Sequence, residues 1–130
     1  MIRGIYVVSS DPQGPSDYES TLDRIGNTCG WGPVGSSRRL IVDDSNLWVH
    51  LIPLVESGYE KAEQDAIEQL LGGPVRHILQ IEFDDGSRSK QLVVSLVTQL
   101  RKEWPIVFDN CLDTLYGPNQ IDQVTEEAEF

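Results

Sequence analysis

Val75-Arg76-His77-Ile78-Leu79-Gln80-Ile81-Glu82-Phe83-Asp84 is the stretch that decides the class of fold. Val75, His77, Leu79, Ile81 and Phe83 fall on one side of an extended chain, and Arg76, Gln80, Glu82 and Asp84 on the other. That period of two marks a strand with one face toward a core. Ile78 interrupts the polar set, so the second face is expected to be partly covered too. Asp85-Gly86 supplies a turn, and Ser87 or Ser89 is placed to cap the next helix. Leu92, Val93, Leu96, Val97 and Leu100 then recur at helical spacing, with Arg101-Lys102 where they oppose the C-terminal helix dipole. Pro105 ends that helix after Trp104.

Moving toward the N-terminus, Gly72-Gly73-Pro74 stops a helix that begins near Tyr59 and carries Ala62, Ala66, Ile67, Leu70 and Leu71 on one face. Leu47 to Leu54 and Arg39 to Asp43 read as two strands joined by the polar turn Asp43-Asp44-Ser45-Asn46, with Pro53 ending the second strand or marking it as an edge. Gly26 to Ser37, rich in Gly, Pro and Ser around Trp31, is a long loop. Before it, Ser16 and Glu19 have capping-box spacing, and Tyr18, Leu22 and Ile25 mark a short amphipathic helix to about Asn27. Ile2 to Ser9 is a strand closed by Asp11-Pro12-Gln13-Gly14-Pro15. Downstream, Ile106 to Phe108 and Cys111 to Tyr116 form a last pair of short strands around Asp109-Asn110. Residues from Thr125 are expected to be a frayed acidic tail.

The order is β-α-β-β-α-β-α-β-β. It predicts a single α+β domain over residues 1–124, a mixed or antiparallel sheet with helices packed on it, and a tail over 125–130. The first six elements have ferredoxin-like order.

With 130 residues the chain can bury roughly two-thirds of its unfolded surface, enough for a core without staples. Ten Lys and Arg against 21 Asp and Glu give a net charge of −11. The excess is spread through the chain: residues 1–65 hold five basic and ten acidic side chains, residues 66–130 five and eleven. Such a balance excludes the phosphate-neutralising mode of nucleic-acid binding and a polybasic grip on anionic membranes. It is compatible with a basic protein partner. No secretory signal or membrane-length apolar run is visible, so a cytoplasmic protein is expected, with Cys29 and Cys111 as free thiols.

Gly30-Trp31-Gly32-Pro33-Val34-Gly35 formally matches a dinucleotide fingerprint. It follows a helix and leads into a strand, the reverse of the context in which backbone amides meet a pyrophosphate, and is read as a plain loop. Asp43-Asp44 and Asp84-Asp85 sit at strand ends, where paired carboxylates can bind Mg²⁺ or simply form turns; without a third placed ligand the turn reading is taken. His50 and His77 have no partner nucleophile at a recognisable spacing, and the two His and two Cys lack zinc-finger spacing. No catalytic residue, metal or cofactor is expected.

Ile81-Glu82-Phe83-Asp84-Asp85-Gly86, the Leu92–Leu100 helix, Trp104-Pro105-Ile106-Val107-Phe108-Asp109-Asn110 and Leu115-Tyr116-Gly117-Pro118-Asn119-Gln120-Ile121 together form a pattern. It resembles the C-terminal half of small immunity proteins of bacterial polymorphic-toxin systems, of the contact-dependent or type VI kind. The resemblance covers residues 75 to 122 and its motifs are structural, so no catalytic residue is carried over. It implies a cytoplasmic protein that neutralises one cognate toxin by covering its basic cleft with an acidic, aromatic-bearing surface. Candidate contact residues are Trp31, Asp43, Asp44, Trp48, Asp84 and Asp85, with Trp104 expected in the core. The alternatives are an adaptor or regulatory binding module unrelated to toxins, and a small enzyme that uses His50 or His77 with a carboxylate in one cleft.

Overall fold

Residues 2–32, 38–127 and 130 are described by the structure, a computed structural model. The elements are β1 (Arg3–Ser9), α1 (Pro15–Thr28), β2 (Arg38–Val42), β3 (Ser45–Ile52), α2 (Lys61–Leu71), β4 (His77–Phe83), α3 (Ser89–Glu103), β5 (Ile106–Asp109), β6 (Leu115–Tyr116) and α4 (Asp122–Thr125). Single 3-10 turns lie at Leu54–Glu56 and Pro118–Gln120. The six strands form one sheet, β2-β3-β4-β1-β5-β6, antiparallel at every neighbouring pair. The α+β class therefore holds, and the expected order is present with α4 added.

The first six elements do follow the ferredoxin-like order in the chain, but their strands are arranged differently in the sheet. In that arrangement the first and third strands are neighbours, whereas here β4 lies between them. β4 buries Ile78 on one face and Leu79 and Ile81 on the other, as a central strand should.

Alternation divides the sheet into two unequal faces. On one, Ile5, Val7, Leu47, Val49, Leu79, Ile81 and Phe108 meet Tyr18, Leu22 and Ile25 of α1, the Leu92–Leu100 stripe of α3, and Val124 of α4. This is the main core, and Trp104 lies in it as expected. The other face has a small cluster, Val8, Ile78 and Val107 under Ile67 of α2. Among the described residues only one end of that face is covered by a helix.

Local differences from the sequence reading have local causes. Proline favours the first helical position, and α1 opens at Pro15 with Gly14 as N-cap; Ser16 falls inside the helix and the expected capping box is absent. The box forms instead at α2, between Glu60 and Glu63. The β2–β3 turn is two residues, not four: Asp43 takes a left-handed φ of 54°, which an aspartate tolerates, and Ser45 pairs with Val42. Pro53 follows the end of β3, which is internal. Neither Ser87 nor Ser89 serves as the N-cap of α3; Arg88 holds that position and both serines bind aspartates. The last strand shrinks to Leu115–Tyr116 because Asn110 Oδ1 accepts from the amides of Leu112, Asp113 and Thr114, drawing them away from a ladder. In the tail, the Phe130 ring lies 5.4 Å from that of Phe108 and 5.9 Å from that of Phe83.

Candidate functional site

Four of the six candidate residues come together where the β2–β3 turn meets the β4–α3 loop. Asp84 leaves β4 and turns back on its neighbours: Oδ1 accepts from the amides of Asn46 (3.1 Å) and Gly86 (3.0 Å) and from the Ser89 hydroxyl (2.5 Å), and Oδ2 accepts from Asn46 Nδ2 (2.6 Å). The Ser89 hydroxyl, then the Asn46 donors, hold its carboxyl well below the usual carboxylate range. Asp44 accepts from the Ser87 hydroxyl (2.8 Å) and amide (3.2 Å), which lower its pKa as well. Arg88 donates its amide to Ser45 Oγ (2.8 Å) and reaches Asp43 through its guanidinium (3.2 Å). Asp44 and Asp84 thus lock one hairpin to one loop, Asp43 joins them through Arg88, and Asp43, Asp44 and Asp85 are all exposed. Among the described residues no group of three His, Cys, Asp or Glu side chains is placed to hold a metal ion.

The two tryptophans are on opposite sides of the sheet. Trp31, half-buried behind α1, packs on the main core and lines a groove of about 510 Å³ with Cys29, Val42, Arg88 and residues of α3. The Gly-rich motif beyond it, at Pro33, Val34 and Gly35, lies outside the described residues. Trp48 points to the sparsely covered face. Register places it in a row with Arg39 of β2, Glu82 of β4 and, beyond, Gly4 of β1. The Arg39 guanidinium lies 5.8 Å from the Trp48 ring centre. The next row toward α2 holds His50, Gln80, Tyr6 and Asp109. Glu82, on a central strand, keeps 38% of its side chain exposed and pairs with His50 at 3.2 Å. Ile41, on the same face of β2, is 60% exposed. Among the described residues no element packs over this half of the sheet.

The histidines do not share a cleft. His50 is on the open face. His77 is buried on the other, its Nε2 at 2.8 Å from the Gln13 carbonyl and its ring stacked on Tyr18, which stacks in turn on Trp104. Burial pushes the Tyr18 phenol far above its usual range.

Sequence reasoning missed a pocket of about 460 Å³ beside the open face. Tyr6 and Tyr59 meet edge to face, 5.5 Å between ring centres. Tyr59 donates to Asp109 Oδ2 (2.7 Å), and Tyr6 to the Ser57 carbonyl (3.2 Å). Glu63, Asp113 and Leu112 complete the mouth. Cys111, at a φ of 59°, donates its amide to Asp109 Oδ1 (2.8 Å), and burial followed by the Asp109 charge pushes its thiol up to about 12. Tyr6, Tyr59 and Asp109 stand about fifty residues apart in the chain, so no spacing motif announces them; only Tyr6, out of phase with the core-facing Ile5 and Val7, gave a sign.

Among the described residues no helix is long and apolar enough to cross a membrane. Comparison of the chain with protein-family models, with curated proteins and with solved structures gave no match in any of the three.

Proposed function

We propose that this chain is a bacterial immunity protein that acts in the cytoplasm by binding, not by catalysis, and neutralises one basic cognate toxin by covering its active site. The observation that carries the reading is the bare half of the sheet, with half-buried Trp48 and exposed Ile41 on it, in a chain of net charge −11. A tryptophan held on a rigid strand offers a large contact area at little entropic cost. Asp43 and Asp85, exposed at the rim, steer a basic partner, while Asp44 and Asp84 keep the β2–β3 turn in place. Trp31 lies outside this surface, on the helical side of the sheet. The resemblance of residues 75 to 122 to immunity proteins of polymorphic-toxin systems points the same way.

The test is co-expression with the product of an adjacent large toxin gene, with binding measured on the purified pair. Cells survive only with the intact chain, and Trp48→Ala weakens binding at least about tenfold. Binding without rescue of growth supports instead an adaptor unrelated to toxins. Absence of binding removes the immunity reading.

A further inference from the structure

We propose that the Tyr6–Tyr59 pocket and the bare sheet face form one interaction surface, in which the pocket seats an arginine or lysine side chain of a basic protein partner. This rests on the reading of the chain as a binder of a basic toxin and names how the partner is held.

Continuity comes first. Tyr6 belongs to the cross-sheet row of His50 and Gln80 on the open face, and it is also a wall of the pocket. A partner segment lying across Trp48 and Gln80 therefore runs directly into the pocket mouth. Exposed apolar groups mark both ends of that path: Ile41 on β2, and Leu112, 74% exposed, at the pocket rim. Aromatic and apolar groups ringed by polar ones are the usual anatomy of a protein interface.

Charge selects the occupant. Asp109, Glu63 and Asp113 line the pocket, and no Lys, Arg or His is among its lining residues. The hydrogen bonds that Asp109 accepts come from neutral donors, the Tyr59 hydroxyl and the Cys111 amide, so they orient the carboxylate without cancelling its charge. Both phenol hydroxyls are committed to the protein, which fixes the two rings, edge to face, in the pocket wall. Tyrosine rings beside a carboxylate attract a cation by cation–π and direct electrostatic terms together, and a guanidinium can meet both. A pocket of about 460 Å³ accommodates such a head and its aliphatic stem.

The pocket can be tested without any toxin. The full chain is titrated with N-acetyl-arginine amide, and with the isosteric neutral citrulline compound, while backbone amide resonances are followed by NMR. Saturable shifts at Tyr6, Tyr59, Cys111 and Leu112 are expected with the arginine compound alone, weakened at least about fivefold in Asp109→Asn. That variant keeps an acceptor oxygen for only one of the two donors, Tyr59 and the Cys111 amide; Glu63→Gln, outside that pair of hydrogen bonds, is therefore the second variant and should weaken the shifts too. Equal shifts with both compounds, shifts elsewhere only, or shifts unchanged in both variants overturn the proposal. Tighter binding of spermidine than of the arginine compound also overturns it, since the occupant would then be a free amine. Arginine binding without any interaction with the toxin leaves the pocket standing and removes the immunity reading. Toxin binding that is indifferent to both variants does the reverse.

Discussion

Asp84 shows how a surface carboxylate can serve the fold before it serves a partner. Its oxygens accept from Asn46, Gly86 and Ser89, so the folded chain stabilises the charged form more than water does in the unfolded one. An unfolded aspartate titrates near pH ~3.9, and the folded group lies well below that. The stabilisation is thus fully present above the unfolded value and is lost as pH falls toward the folded one. Chemical denaturation from pH 6 downward should show the gap between wild type and Asp84→Asn closing on acidification; a constant gap refutes the assignment. Gly86 makes the same junction sterically intolerant. A Cβ there would lie 2.5 Å from Ser45 Cα and 2.7 Å from the Asp44 carbonyl, so Gly86→Ala should destabilise by about 1–3 kcal/mol in urea denaturation. The sequence marked both aspartate pairs as turn formers. It did not reveal that Asp84 reaches Asn46 and Asp44 reaches Ser87, because those partners are neighbours only across the folded sheet.

Elements with long, uninterrupted periodicity were legible, and those set by a single side chain were not. β1, β4 and α3 stand where their patterns put them because burial enforces the phase of every residue. The β2–β3 turn and the short β6 follow instead from the left-handed Asp43 and the amides gathered by Asn110, which no period encodes. α2 has an apolar stripe on paper, yet Ile67 is its one buried residue, since it packs over only one end of the sheet. Ile67→Ala should therefore cost about 2–5 kcal/mol and speed amide exchange throughout α2, whereas Leu70→Ala, at a 40% exposed position, should stay within about 1 kcal/mol. Equal effects of the two substitutions would mean that α2 is held elsewhere.

For the whole molecule the class of fold followed from alternation, while the strand order did not, because pairing depends on which apolar faces meet and not on their sequence order. The same holds for the candidate surface: charge led to the expectation of a basic partner, and only the fold revealed that, among the described residues, one half of a sheet face carries no helix. A charge of −11 acts over the range at which salt screens, about 10 Å at 0.1 M. Association with a basic partner should accordingly slow by about tenfold or more between 50 mM and 500 mM salt in stopped-flow measurements, with dissociation changing far less. A salt-independent association rate would show that steering plays no part.

The position of β1 has a consequence for how this chain comes to be folded. β1 is flanked by β4 and β5, so Ser9 must meet His77 and Tyr6 must meet Asp109 before the middle of the sheet exists. During synthesis Ile5, Val7 and Val8 are among the first of these apolar groups to leave the ribosome, and they gain both neighbouring strands only after β5 has emerged. Closure over such separations is slow and holds a sticky strand open in the meantime. Of the six strands, β1 is thus the one with the longest stretch of chain between its own synthesis and the arrival of its second neighbour.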